Sequence, residues 1–294
     1  MGPLCIWLLL SAQDMEPRRW THLPVGTSVA DVGYIYSTGD LHVDPALRIE
    51  DAEVGLHSVV LGYTRYFALG DMTGRVDLQL PIQSGRWKGL LDGVPTTVGR
   101  SGLADPRLRL SMNFLGAPPL EAEEFQEYAK SHADRTTAGL ALAVRLPLGD
   151  YRDDKLINLG DHRFGFEPQL GAVRTLGPWS FEATGSVFLF TDNREFFNGN
   201  RLEKAPVYSV QGHVVRTFEA GFWVSTGVSY GLGGETEING IRQDDERRNL
   251  LYGLVAGVSL GSGIGLRAGY IRQEALRNAG TDAHNVVLGC SMRF

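Results

Sequence analysis

Two histidines set near serines offer the first prospect of chemistry in this 294-residue chain: His57 precedes Ser58, and His213 follows Ser209 by four positions. On the wall of a barrel, a Ser/His pair can act as nucleophile and base in lipid hydrolysis. Neighbours along a strand point to opposite faces, so His57 and Ser58 cannot pair directly. Ser209 and His213 share a face but stand ~13 Å apart, too far for proton transfer. A serine on an adjacent strand could still serve either ring. "GETEING" and "QDDERR" are acidic enough to attract Ca²⁺ or the cations that bridge lipopolysaccharide, yet they lack fixed ligand spacing and read as solvated loops. "GLGG" precedes no helix and forms no phosphate loop. No catalytic residue, metal site or cofactor is expected.

A larger polar set recurs at alternate positions of segments that are otherwise apolar. It comprises Glu53, His57, Arg65, Arg75, Asp77, Gln79, Gln83, Asp105, Arg107, Arg109, Arg145, Glu167, Gln169, Glu182, Gln211, His213 and Arg267. If the apolar parity meets lipid, these side chains face an enclosed lumen and line a solute path. Acids and bases are mixed, and charges in a narrow lumen are costly unless paired. Two readings stay open: an internal ion-pair network bracing a nearly filled barrel, or a polar conduit whose charges select the solute.

The elements that must hold this set are strands. "DPRLRLSMNF" puts Leu108, Leu110, Met112 and Phe114 on one face and Arg107, Arg109, Ser111 and Asn113 on the other. "RVDLQLPIQ", "AGLALAVRLP", "WSFEATGSV", "FWVSTGVSYG" and "IGLRAGYIR" alternate in the same way. Near 52–68 and 207–217 the pattern is less clean, as a bulge would make it. The count is about twelve strands of ~10 or more residues, the length a bilayer requires. Their expected spans are 28–43, 52–68, 74–88, 103–115, 136–149, 163–176, 178–191, 206–218, 221–236, 248–260, 263–275 and 284–294. An even number puts both termini on one side, which would be the periplasm.

Composition agrees. Charged residues are 21% and the net charge is -6, with a pI near 5.7, which argues against nucleic acid as a partner. A mean hydropathy of -0.11 is ordinary for a barrel, whose strands mix lipid-facing and lumen-facing residues. No stretch reaches the ~18 apolar residues of a membrane helix. Thirty-seven glycines suit a curved, closed sheet with tight turns.

Connections alternate in length. "GDMTG", "TLGPW", "FEAG" and "GSG" are short; "LLDGVPTTVGRSGLA", "GDYRDDKLINLGDH", "DNREFFNGNRLEKA", "EINGIRQDDERRN" and "EALRNAGTDAHN" are long and polar. Tight periplasmic turns and long external loops are the outer-membrane pattern. "GAPPLEAEEFQEYAKSHADRT" breaks the rule and reads as a small periplasmic helix under the barrel. Tyr34, Tyr36, Trp87, Trp179, Phe222 and Tyr270 fall near strand ends, where interfacial girdles form.

At the amino terminus, 1–13 reads as a shortened signal peptide. Residues 14–27, "DMEPRRWTHLPVGT", could fold into the lumen as a plug, with Arg18 and Arg19 pairing with Glu53, Glu167 or Glu182. The barrel then occupies 28–294. Its last strand carries Leu288, Met292 and Phe294 on the apolar parity, which resembles an assembly signal addressed to the barrel assembly machinery.

Several stretches go further than the general pattern: "PVGTSVADVGYIYSTGDL", "RIEDAEVGLHSVVLGYTRYF", "RVDLQLPIQSGRWKGLLDG", "SGLADPRLRLSMNFLGAP", "RLPLGDYRDDKLINLG" and "FTDNREFF". Over roughly residues 16–294 the chain resembles the outer-membrane β-barrel family labelled phenol-degradation (meta-pathway) proteins, or transporters. The abbreviated signal region is its one departure. The resemblance implies a transmembrane up-and-down antiparallel β-barrel in the bacterial outer membrane, in contact with outer-membrane lipids. The expected work is passive uptake of small aromatic or hydrophobic molecules. A filled barrel with a structural or loop-binding role is the first alternative, and a lipid hydrolase the second.

Overall fold

The computed structural model describes residues 15–42, 49–91, 93–277 and 279–294; the expected signal peptide at 1–13 lies outside them. The first half of the chain forms β1 (Ser28–His42), β2 (Ile49–Leu69), β3 (Met72–Leu91), β4 (Val94–Leu103), β5 (Arg107–Leu115), α1 (Ala122–Ser131), β6 (Arg135–Arg145), β7 (Gly165–Leu176) and β8 (Trp179–Phe190). After β9 (Asn193–Phe196) and β10 (Asn200–Lys204) come β11 (Val207–Thr217) and β12 (Phe222–Gly233). Then β13 (Thr236–Ile238) and β14 (Ile241–Arg242) precede β15 (Arg247–Ser259), β16 (Ile264–Ala275) and β17 (Gly280–Arg293).

Every pairing is between antiparallel strands, and the sheet closes because β1 pairs with both β2 and β17: Ile35 lies opposite Ser58 on one side and Val287 on the other. β4 and β5 both pair with β3 and serve as one wall strand interrupted at 104–106. The ring therefore has twelve antiparallel strands. A separate four-stranded sheet, β14-β13-β10-β9, is built from the long loops. Closure pairs the wall strands around the ring, with the free side of β4 as the exception, as a bilayer demands because lipid cannot satisfy exposed backbone groups.

The alternation has the polarity of a membrane barrel. In β5, Leu108 and Leu110 are exposed while Arg109, Ser111 and Asn113 are buried. The same inversion runs through β6, β8, β11 and β17. Apolar side chains thus cover the outer wall, including Leu288 and Met292 on β17 and Phe294 just beyond it, and the chain is a bacterial outer-membrane β-barrel. Gly70 and Gly177 take φ of 58° and 53° in the tight turns of one rim, a conformation only glycine adopts cheaply. On that short-turn, periplasmic rim sits α1. The Glu124 carboxylate, in its first turn, accepts a hydrogen bond from the Glu121 amide at 3.3 Å.

Candidate functional site

The inner face is organised around residues 15–23, which run within the ring of strands. Glu16 is the hub: its carboxylate takes Arg19 Nε at 2.8 Å and Arg109 Nη1 at 3.2 Å, and its amide donates to Gln211 at 3.0 Å. Arg109 Nε also reaches Asp77 at 3.0 Å. Asp77 accepts from Arg75 Nε and Thr64 Oγ1, both at 2.7 Å. Arg75 in turn donates to the Arg19 carbonyl at 2.9 Å. The network links β2, β3, β5 and the amino-terminal segment through groups shielded from water, where charge-assisted bonds are strong and unpaired charges costly. The Arg18 amide donates to Glu182 at 2.6 Å, and its guanidinium lies 5.2 Å from the Trp223 ring centroid.

Trp20 is seated by two glycines. A Cβ added at Gly139 would come within 2.7 Å of the indole, and one at Gly171 would overlap it. Its Nε1–H donates to Thr184 at 2.8 Å. Met15 fills an apolar patch with Ile35, Val60, Leu251, Ile271 and Val287. Under this segment His22 donates through Nε2 to the Pro118 carbonyl at 2.8 Å and meets Phe125 of α1 edge-on at 4.8 Å. A cavity of about 420 Å³ opens there, bounded by Trp20, His22, Phe125 and Val173.

Of the polar set read from sequence, Asp77, Gln79, Gln83, Arg109, Glu167, Gln169, Glu182, His213 and Arg267 are buried on the inner face, with Arg75, Asp105 and Gln211. Arg107 and Arg145 share that parity but are half-buried; Arg107 pairs with Glu167, which also accepts from Gln169 at 2.6 Å. His213 contacts Gln211 at 2.9 Å.

Three members face outward instead: Glu53, His57 and Arg65 are exposed, while Val54, Leu56, Ser58, Val60, Thr64 and Tyr66 on the opposite parity are buried. No register shift interrupts β2 between Glu53 and Leu69. The inner face of β2 is largely apolar, broken by Ser58 and Thr64, because it packs against protein rather than water, with Val60 against Met15. Its outer face is polar toward both ends because a 21-residue strand overshoots the ~10 residues that a bilayer needs. His57 accordingly meets Tyr34 Oη at 2.7 Å on the outside, beside an outward polar hollow shared with Arg86 and Lys88. Trp87 is a second correction: it lies on the inner parity, pairing with Val54 and Val98, and belongs to no girdle. Tyr34, Trp179, Phe222 and Tyr270 are exposed on the outer wall.

At the long-loop rim, β4 has β3 as its one strand neighbour among the described residues, and residues from the 146–161 loop bond along its other edge. The Asp150 amide donates to the Leu103 carbonyl at 2.7 Å, and Arg100 Nε reaches the Ile157 carbonyl at 2.9 Å. Asp105 receives the amides of Gly149 and Asp161 at 2.9 and 2.8 Å; burial nonetheless raises its pKa. Inside this cover lies an apolar cavity of about 390 Å³, lined by Leu41, Ala52, Trp87, Val98, Leu156, Ile157, Phe196 and Phe197 among others. Nothing in the strand alternation announces it, since part of its lining, Leu156, Ile157, Phe196 and Phe197 included, comes from the long loops.

Comparison with solved structures places the fold. The COG4313 outer membrane channel from Pseudomonas putida F1 is 21% identical, with 96% of this chain and all of that one covered at a TM-score of 0.80. The transport unit of the autotransporter AIDA-I from Escherichia coli is 10% identical, with 97% and 95% covered at 0.57. The translocator domain of NalP from Neisseria meningitidis is 12% identical, with 94% and 91% covered at 0.51. No curated protein sequence matches the chain. The family profile described as "Putative MetA-pathway of phenol degradation" matches residues 33–282, so this barrel, with its occupied interior and apolar mouth, belongs to that family.

Proposed function

We propose that the protein is an outer-membrane transporter that lets small apolar or aromatic solutes pass inward passively, captured first in the cavity at the long-loop rim. The observation that carries this reading is that cavity: its volume of about 390 Å³ and its Trp87, Phe196, Phe197 and Ile157 lining suit a single-ring molecule. No energy-coupling motif is evident in the sequence, so a concentration gradient would drive the solute. The amino-terminal segment occupies the interior and would have to shift before a solute could pass.

The dense ion-pair network around Glu16 favours a second reading, a filled barrel whose loop sheet is the working surface. Liposomes loaded with the purified protein separate the two. Phenol uptake above that of empty liposomes, reduced by Phe197→Ser or Trp87→Ser, supports passage. Uptake equal to empty liposomes supports the filled barrel.

A further inference from the structure

Four cations converge at the long-loop end of the lumen. Arg145 closes β6, Arg163 precedes β7, Lys204 closes β10 and Arg247 opens β15. Asp161 lies among them, pairing with Arg145 at 3.5 Å. Burial among protein atoms would raise the Asp161 carboxyl, but Arg163, Arg145, Lys204 and Arg247 outweigh it and hold the pKa down. Asp161 still keeps 46% of its side chain open to water, so solvent reaches the cluster. A second nearby acid, Asp105, already accepts two backbone amides. Positive charge is in excess.

The excess includes hydrogen-bond donors with nowhere to donate. Arg163 is 7% exposed, and its Nε and Nη1 have no partner among the described residues; neither does Nε of Arg247. Unsatisfied buried guanidinium donors are costly, and a planar anion answers them two at a time. Phe190 sits under the cluster, with Arg163 Cζ at 5.1 Å and Lys204 Nζ at 4.8 Å from its ring centroid. Burial first, and then the neighbouring Arg247 and Arg163, push the Lys204 ammonium well below its ordinary pKa.

We infer that Arg163, Arg247 and Lys204, with Phe190 beneath them, form a binding site for a small organic carboxylate carried on an aromatic or apolar body. This rests on the transporter reading and narrows its solute class. The guanidinium fork selects the anionic group, and Phe190 accepts the body; a neutral phenol has no charge to offer the fork.

Calorimetric titration of the full-length protein in detergent tests the site with sodium benzoate, phenol and inorganic phosphate at one ionic strength. Saturable benzoate binding is expected, with phenol and phosphate weaker. Arg163→Gln and Arg247→Gln should each weaken benzoate at least about tenfold, as loss of one buried charge-assisted pair does. Arg163→Lys should fall between, and Arg174→Gln on the far rim should change nothing. Absence of benzoate binding, equal binding by Arg163→Gln, or phosphate binding as tightly as benzoate would overturn the assignment. Should Arg163→Gln fail to fold, the salt dependence of wild-type binding decides. A benzoate affinity that does not fall from low to high salt sinks the proposal. Benzoate binding without solute flux would leave this site standing and remove the transporter reading; phenol flux without benzoate binding would do the reverse.

Discussion

Glu16 and Arg109 meet at 3.2 Å inside the barrel, a carboxylate from ahead of the first strand against a guanidinium from the wall. Arg109 is 1% exposed and bridges Glu16 to Asp77. The wall and the segment within it therefore share one electrostatic unit.

Removing the bridge should leave two buried carboxylates short of a partner. Arg109→Ala is expected to cost about 3–5 kcal/mol of stability, the usual penalty for breaking a buried pair. Glu16→Gln should cost less, because Arg109 keeps Asp77. A urea titration of the refolded barrel in vesicles measures both. The double variant should fall short of the sum of the singles, since the groups are in direct contact.

The outer wall gives the opposite sensitivity. Leu110 is 53% exposed and its neighbour Ser111 is buried. Leu110→Arg should destabilise by about 2–4 kcal/mol if it lies near the bilayer midplane, while Leu110→Ile should be nearly neutral. Equal unfolding midpoints for Leu110→Arg and wild type in vesicles would put that face in water.

Gly171 makes room for Trp20. Gly171→Val should displace the indole and break its bond to Thr184, lowering the temperature at which the folded band is lost on gels. Adding Trp20→Ala should recover much of the loss. If Gly171→Val is as damaging without the indole, the glycine serves strand geometry alone.

His22 supplies a pH dependence. Burial lowers its pKa from 6.5 to about 4, against the Pro118 hydrogen bond and with help from Arg135. The docked segment thus prefers the neutral ring, whereas a released segment titrates near its ordinary value. Docking is fully supported above pH 6.5 and weakens as pH falls from 6.5 toward 4. A nitroxide at position 21 should gain mobility over that window, and His22→Gln should remove the His22 part of the change.

Strand number, closure and the facing of β5, β6, β8 and β17 were legible in the sequence, because period-two alternation is a local signal that each segment carries by itself. β2 was not legible in this way. Its inner face packs against protein distant in sequence, Val60 against Met15 and Val54 beside Trp87, so the usual rule for a wet lumen misassigns Glu53 and His57. Trp87 misled for a related reason, since a strand-end aromatic can face a cavity as well as an interface. Arg163, Lys204 and Arg247 lie in or beside loops, and only folding brings them together.

The most direct test is single-channel conductance in planar bilayers, comparing the full chain with a deletion of residues 15–22. If the segment held by Glu16, Arg19 and Trp20 obstructs the lumen, the deletion should conduct several-fold more than the parent or open from near silence. Indistinguishable current traces from the two proteins would contradict the account.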